Sequence, residues 1–142
     1  MNGLIAYEGK SHLDGAPIVV ILTALNGSMN TKTGHMVQSY IMRADIDPVK
    51  AAALGLDASI CGQCQHRPKL AKKSGHAPCY VNIGRGALGV WKAYKRGAYP
   101  RIDPDTAAAL LTARKLRIGS YGDPAAAPLG REQDQQVTFA PQ

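Results

Sequence analysis

A continuous apolar run is the clearest secondary-structure signal in the chain. Residues 17–25 read PIVVILTAL, with no polar residue before Thr23. Strands that are covered on both faces have this pattern, whereas strands with one wet face alternate between apolar and polar residues. The run therefore predicts a buried strand. Residues 36–42 alternate more weakly and predict a second strand, although neither of its faces is cleanly polar.

Two Asp-Pro pairs mark helix starts. Asp47 is followed by proline at the first helical position, and Gly55 ends the short apolar segment 49–54. Asp103 is followed by proline in the same way, in front of the alanine- and leucine-rich segment 106–115. Aspartate caps the N-terminus of a helix, proline fits its first turn and glycine ends it. Both segments are therefore predicted to be helices.

The remaining segments differ in how regular they are. Residues 87–96 carry apolar side chains at helical spacing and end at Gly97, which predicts a third helix. Residues 116–121 read LRIGSY and predict a further strand. Residues 59–80 have no period, so we expect a loop that is ordered by something other than a hydrophobic core.

Length and composition are those of one small domain. The chain has 142 residues, of which 45% are hydrophobic, and no run approaches the roughly 20 apolar residues of a membrane helix. Three cysteines cannot all pair within one chain, and we see no secretory signal, which favours a reducing, cytoplasmic setting. We expect a single α/β or α+β domain over 1–128, with a few-stranded sheet, about three short helices and a metal-stabilised loop over 59–80. The proline-, alanine- and glutamine-rich segment 129–142 is predicted to be a flexible tail.

The aperiodic loop holds the most specific chemistry. Cys61 and Cys64 are separated by two residues, and so are His76 and Cys79 further along. Short loops of this kind bring two side chains to one ion, and four nitrogen or sulfur ligands complete a tetrahedron around zinc. We predict a structural zinc site on these four residues. His66 is a competing fourth ligand, although its position close to Cys64 is more cramped.

Other interpretations of the cysteines stay open. Cys61, Cys64 and Cys79 have the sulfur ligands for an iron–sulfur cluster with one open iron. The Cys61–Cys64 spacing is also that of redox-active pairs, although the sequence before Cys61 does not have the strand–helix setting of that motif. The remaining possibility is that the thiols are unliganded and partly buried.

Positive charge is concentrated in the same half of the chain. The net charge is +7, and no acidic residue occurs between Asp57 and Asp103. The interval contains nine cations, namely Arg67, Lys69, Lys72, Lys73, Arg85, Lys92, Lys95, Arg96 and Arg101. Tyr80, Trp91, Tyr94 and Tyr99 lie among them. Cations neutralise phosphates and aromatic faces stack on bases, so we predict a nucleic-acid-binding surface on these nine residues, with a solvated basic face as the alternative.

Two weaker patterns also bear on function. Gly84, Gly86 and Gly89 match G-x-G-x-x-G in front of a predicted helix, where a loop's N–H groups are able to bind a phosphate. Asp123 ends the last predicted strand and is a candidate functional carboxylate. No serine–histidine–aspartate set or pair of carboxylates stands out, so we favour binding over catalysis.

Three segments together resemble a known family. The cysteine pair at 61–64, the run Cys79-Tyr80 to Gly84 and the strand from Leu116 to Asp123 and Pro124 are similar to an uncharacterised family of tailed-phage gene products. In that family a cysteine cluster precedes a Cys-Tyr pair, and a later strand carries an arginine followed by Gly-Asp. The resemblance covers about residues 29–128. It implies the N-terminal part of a longer, α/β barrel-like metalloprotein, and it carries no activity.

Taken together, the patterns predict a small basic phage-type zinc protein in the cytoplasm of a host cell. It would bind nucleic acid or a host complex that handles nucleic acid, and no membrane. One alternative is a partial metalloenzyme, an iron–sulfur or zinc barrel relic that acts on nucleotides. Another is a phage inhibitor of host defence.

Overall fold

A computed structural model describes residues 3–25, 36–62, 64–69, 71, 83–111, 115–123, 126–127 and 138–140. The helices and strands are β1 (Leu4–Lys10), β2 (Pro17–Thr23), β3 (Val37–Arg43), α1 (Pro48–Leu54), α2 (Ala58–Cys61), a π-helical turn (Ile83–Ala87), α3 (Leu88–Lys95), α4 (Pro104–Leu111), β4 (Lys115–Tyr121) and β5 (Thr138–Ala140).

The strands form one mixed sheet in the order β1-β2-β3-β4-β5. The first three pair antiparallel, whereas β3 with β4 and β4 with β5 pair parallel. Parallel neighbours need a crossover, and here α1, α2, the π-helical turn, α3 and α4 all lie between β3 and β4 along the chain. This confirms the predicted small α+β domain with a few-stranded sheet and short helices. The metal-stabilised loop stays a prediction.

Strand β2 is at the centre of the core. Every residue from Ile18 to Leu22 is at most 1% exposed, as expected for a strand covered on both faces. Ile60 of α2 and Ala87 of the π-helical turn pack into the same cluster as this strand. The prediction of a buried strand is confirmed, and the helices of the crossover supply part of its cover.

The first predicted helix is confirmed together with both of its caps. Asp47 is extended and its carboxylate accepts a hydrogen bond from the Lys50 N–H at 2.9 Å. Gly55 follows the helix with φ 76°, and its N–H reaches the carbonyls of the last turn. Asp103 caps α4 in the same way, accepting from the Thr106 N–H at 2.9 Å.

Strand β4 ends at a position that only glycine occupies easily. Gly122 has φ 87°, a left-handed conformation that other residues adopt at a cost. A Cβ placed there would lie 2.7 Å from both the Cβ and the carbonyl oxygen of Ile41. The close approach of the two backbones therefore fixes the start of the turn that leads to Asp123.

The structure differs from the sequence analysis at three places. Strand β1 was not predicted. Residues Ala58–Cys61 form a helical turn with Ser59 and Ile60 buried, so the predicted loop over 59–80 is wrong at its start. The glycine motif lies within the π-helical turn and α3, so the glycine loop in front of a helix that it requires is not formed.

The C-terminal segment is described only in part. Thr138–Ala140 forms β5 beside β4, with Phe139 opposite Leu116. The rest of 128–142 lies outside the described residues. The flexibility predicted for 129–142 therefore stays a prediction.

Candidate functional site

The Cys61–Cys64 pair sits at the end of α2, on one side of a cleft. Cys61 is the last residue of α2 and half-buried, and Cys64 is exposed; neither belongs to a disulfide. The Cys64 N–H donates to the Cys61 carbonyl at 3.3 Å, so the chain turns tightly between them. Gly62 has φ 60° within this turn, a conformation that favours glycine. We call residues 61–64 the thiol turn.

Two carboxylates share the cleft with the thiols. The cleft has a volume of about 560 Å³ and is lined by Leu13, Asp14, Ala58, Cys61, Gly62, Cys64 and Asp123. These residues come from the β1–β2 turn, from α2 with its following turn, and from the end of β4. Soft thiolates suit zinc or iron, whereas carboxylates suit harder ions or act as acids and bases.

A buried arginine, Arg67, is hydrogen-bonded to the thiol turn. The Arg67 Nε donates to Asp57 Oδ1 at 3.0 Å, and both residues are buried. Its other nitrogens donate to the carbonyls of Gly62 at 3.0 Å and Gly55 at 2.8 Å. One guanidinium thus joins the residue before α2, the residue after α2 and the end of α1. What orders the start of this loop is an internal ion pair together with Ile60 in the core.

A second polar cluster holds α2 against the β1–β2 turn. The Ser59 hydroxyl donates to Asp14 Oδ2 at 2.6 Å and accepts from Arg43 at 3.1 Å. Arg43 also donates twice to Asp45, at 2.9 Å each. The Ser11 hydroxyl donates to the Ser59 carbonyl at 2.5 Å. The carboxylate of Asp14 in the cleft is therefore fixed by hydrogen bonds and not by packing alone.

These contacts keep two carboxyl groups ionised. Burial raises the pKa of Asp14, but hydrogen bonds from the Ser59 hydroxyl and the Ala16 N–H outweigh it and leave the pKa below its usual value. The hydrogen bond from Arg43 lowers the pKa of Asp45, against a smaller effect of burial. The cleft thus holds a fixed carboxylate beside the thiols at neutral pH.

Asp123 reaches the cleft because the end of β4 is tied to α2. Its N–H donates to the Ile60 carbonyl at 2.5 Å, and its carbonyl accepts from the Ala126 N–H at 3.0 Å. Ala126 in turn accepts at its carbonyl from the His12 N–H at 2.8 Å. The structure thereby brings Asp123, the candidate carboxylate from the sequence, next to the cysteine pair. Asp123 and Cys64 are 59 positions apart along the chain.

Half of the predicted metal site lies within the described residues. Cys61 and Cys64 are together, His66 is exposed beyond them, and His76 and Cys79 lie outside the described residues. Within the described ranges, no three histidine, cysteine or acidic side chains are grouped as a metal site would need. A complete site at the thiol turn would require ligands from the remaining part of the chain, where His76 and Cys79 are.

The predicted cations fall into distinct environments. Arg67 is buried, and Arg101 pairs with Glu8. Lys72 and Lys73 lie outside the described residues. The exposed members are Lys69, Arg85, Lys92, Lys95, Arg96 and Arg101. The structure thus places the guanidinium of Arg67 where it serves the fold and not a phosphate.

Helix α3 is attached to the end of β3 by its aromatic side. The Trp91 Nε1 donates to the Arg43 carbonyl at 2.9 Å, and Trp91, Tyr94 and Val90 pack against the core. Lys95 Nζ donates to the Ala44 carbonyl at 3.2 Å and lies 5.5 Å from the Trp91 ring centroid. These contacts leave the other side of α3 in solvent.

The exposed side of α3 carries cations that belong to the predicted nucleic-acid-binding surface. Lys92 of α3 and Arg96, the residue that follows α3, are both exposed and lie four positions apart. No acidic residue occurs anywhere in α3 or the π-helical turn before it, which adds exposed Arg85. We call Arg85, Lys92, Lys95 and Arg96 the basic face.

A groove opens at the C-terminal end of this helix. It has a volume of about 270 Å³ and is lined by Ile5, Tyr94, Lys95, Gly97, Tyr99 and Arg101. The backbone holds it together, since the Ile5 N–H donates to the Pro100 carbonyl at 2.9 Å and Ile5 bridges to Arg101. Aromatic and cationic groups therefore meet at one edge of the sheet.

Glu8 of β1 is the acidic counterpart at this groove. Its carboxylate accepts from the Tyr94 hydroxyl at 2.5 Å and from two nitrogens of Arg101. The Arg101 hydrogen bond lowers the pKa of Glu8. Burial, with the Glu8 hydrogen bond, raises the pKa of Tyr94 to about 12. Tyr94 is thus held as a neutral donor, and part of the charge of Arg101 is neutralised.

Sequence reasoning missed the residues that position both sites. Asp14, Ser59 and Arg43 come from three separate segments, and no spacing along the chain connects them. Asp57 carried one signal, because it is the last acid before the acid-free interval and Arg67 is the first cation inside it. Glu8 carried none.

Comparison of the chain with known protein families, with characterised proteins and with solved structures finds no match. Within the part of the chain that the structure describes, no helix has the length and apolar character needed to cross a membrane.

Proposed function

We propose that this protein binds nucleic acid through the basic face, and that the thiol turn is one half of a structural zinc site. The observation that carries the proposal is the two-sided character of α3. Trp91 and Tyr94 attach the helix to the core, while Lys92 and the C-terminal capping residue Arg96 remain exposed, and the helix has no acidic residue. Exposed cations held on a fixed helix are suited to successive phosphates.

The electrostatic surroundings support the same surface. Asp45 and Glu8 lie near Lys95, and each has its pKa lowered in part by that lysine. Lys95 is therefore partly balanced by protein carboxylates, and it also supports the fold. Lys92 and Arg96 are the better candidates for contact with a phosphate, with Arg85 about two helical turns before Lys92.

The test is the salt dependence of binding in two matched double variants. The first reverses the charge at Lys92 and Arg96 to glutamate, and the second does the same at exposed Lys10 and Lys50. Lys95 is kept in both because of its contacts with Ala44 and Trp91. Binding to DNA and RNA is measured by fluorescence anisotropy over a range of salt concentrations.

We expect log Kd of the wild type to rise steeply with log salt. Loss of two phosphate contacts should flatten the slope by about 0.7 to 0.9 for each contact in the first variant, and leave it nearly unchanged in the second. Equal losses in both variants would reduce the effect to net charge. Absence of binding to any DNA or RNA at low salt would overturn the nucleic-acid proposal and favour a host protein as the partner.

The zinc half of the proposal rests on the thiol turn. Its two cysteines line one cleft and are joined by a backbone hydrogen bond, and His76 and Cys79 would complete the set, as the matched spacing suggests. Zinc held in this way would cross-link the start and the end of the 59–80 segment. The resemblance to tailed-phage proteins with a cysteine cluster supports a metal at this position and a phage origin.

Metal content tests this half directly. We expect purified protein to be colourless with one zinc per chain, His76→Ala to lose the metal, and His66→Ala, the matched control, to keep it. The reverse behaviour of the two histidine variants would move the ligand to His66. A protein without bound metal would overturn the zinc site and leave the nucleic-acid proposal standing.

One observation favours the second candidate, a partial metalloenzyme. Asp14 and Asp123 line the same cleft as the two thiols, so a metal centre there would face carboxylates able to move protons. A brown protein with iron and sulfide, lost in Cys61→Ser, would favour this candidate over structural zinc.

A further inference from the structure

The groove beside the basic face has the size and the chemistry for a single flat ring. Its volume of about 270 Å³ lies just below the range of about 300 to 1,000 Å³ that is typical of pockets for whole small molecules. Ile5 and Gly97 supply apolar and backbone surface, and Lys95 and Arg101 lie at its edge. A planar group with an attached negative charge fits these walls.

Tyr99 lines this groove with a ring that is partly buried against the core. The Nζ atom of Lys95 lies over both neighbouring aromatic rings, 5.5 Å from the centroid of Trp91 and 5.7 Å from that of Tyr94. The Tyr94 hydroxyl is also bound to Glu8. Within the described residues, no lysine or arginine lies over the Tyr99 ring, and the Tyr99 hydroxyl has no hydrogen-bond partner.

One edge of the Tyr99 ring lies against Gly3, the residue before β1. A Cβ added to Gly3 would lie 2.6 Å from Cε1 of Tyr99, so the ring edge rests directly on that glycine. Burial raises the pKa of Tyr99, whereas the positive charge of Arg96 acts in the opposite direction, which places a cation of the basic face near the phenol. A ring that is held in place loses little entropy when a second ring stacks on it.

We infer that the groove takes one unstacked base of a single strand, stacked on Tyr99, while the flanking phosphates lie on Arg96 and Lys92. This rests on the proposed function and specifies its ligand, because a base inside a duplex is stacked on both sides and does not reach a groove of this kind. Arg101 contributes less to phosphate binding, since Glu8 already accepts two of its hydrogen bonds. The ligand class is therefore single-stranded nucleic acid without a fixed sequence.

The experiment compares one labelled mixed-sequence DNA strand with the same strand annealed to its complement, and repeats the comparison with RNA. We expect the wild type to bind the single strand more tightly than the duplex. Tyr99→Leu keeps apolar bulk but removes the flat ring, and should weaken single-strand binding about tenfold while leaving duplex binding unchanged. Tyr99→Phe keeps the ring and should bind like the wild type.

The outcomes separate this inference from the proposed function. Equal binding of strand and duplex by the wild type, a measurement that needs no variant, would overturn the single-strand inference and leave the basic face intact. An equal loss of single-strand and duplex binding in Tyr99→Leu would also overturn it. Binding of neither form would remove the proposed function itself. Emission of Trp91, the single tryptophan, and thermal melting verify that each variant is folded.

Discussion

Arg67 and the basic face come from the same acid-free interval, yet their environments are opposite. Arg67 is 8% exposed and gives its three guanidinium nitrogens to Asp57, Gly55 and Gly62. Lys92 on α3 and Arg96 at its C-terminal cap are exposed, and α3 has no acidic residue. The comparison shows that a run of cations does not form one surface by default. Arg67 pairs with Asp57, just outside the run, whereas Lys92 and Arg96 form no ion pair among the described residues.

The largest expected effect follows from removing the buried charge of Arg67. Arg67→Met leaves the Asp57 carboxylate buried without its charge partner, and its second oxygen has no hydrogen-bond donor among the described residues. Breaking a buried pair in this way costs about 3–5 kcal/mol. We expect a loss of this size in the free energy of unfolding, measured by urea denaturation.

Two further variants sharpen this result. Lys92→Met, the matched change on the basic face, should alter stability by less than about 0.5 kcal/mol. The double variant Asp57→Leu/Arg67→Met removes both charges and should recover part of the loss. A cost for Arg67→Met no greater than that for Lys92→Met would show that the two environments do not differ in the way the structure indicates.

A smaller effect on stability is expected at the ion pair between Glu8 and Arg101. This pair is more exposed than the buried Arg67 pair, but unlike Lys92 and Arg96 its arginine has an acidic partner among the described residues. The Arg101 hydrogen bond lowers the folded-state pKa of Glu8 below its unfolded value, so the pair stabilises the fold above the unfolded pKa. This contribution is lost as the pH falls through the folded pKa. Because the Arg101 side chain is 71% exposed, the effect should be well below that of Arg67.

The measurement is the stability of wild type and Glu8→Gln from neutral pH down into the acid range, below pH about 5. The two curves should be separated at neutral pH and converge as the pH falls, while both decline because Asp14, Asp45 and Asp103 also have lowered pKa values. A separation that stays constant with pH would contradict an electrostatic role for Glu8.

The elements predicted correctly are those with a local cause. Strand β2 has a continuous β-branched sequence, and α1 has its aspartate, proline and glycine at the positions where caps are needed. Strand β1 was not predicted because its C-terminal end is polar and exposed, so its sequence has no clear strand pattern. It is a strand because it pairs with β2. Helix α2 is a single turn that depends on Arg67, Ser59 and Ile60, which no local rule combines.

The candidate sites divide in the same way. The cations in and next to α3 could be grouped from sequence because three of them recur at helical spacing on one short segment. The cleft at the thiol turn was not predicted, since Asp14, Cys64 and Asp123 meet only after three distant segments have packed. The second half of the zinc site, His76 and Cys79, lies outside the described residues, and its geometry stays a prediction.

The parallel pairing of β3 with β4 has a kinetic consequence. The antiparallel pairs β1–β2 and β2–β3 join neighbouring segments, but Val37 meets Leu116 only when the entire stretch from 44 to 114 has been closed into one loop. Closing a long loop carries an entropic cost before any contact offsets it, and distant pairings slow folding. We therefore expect the three-stranded meander to assemble early and the crossover to close late. The thiol turn and the basic face both belong to that late unit, so a chain stalled at the meander would have neither site.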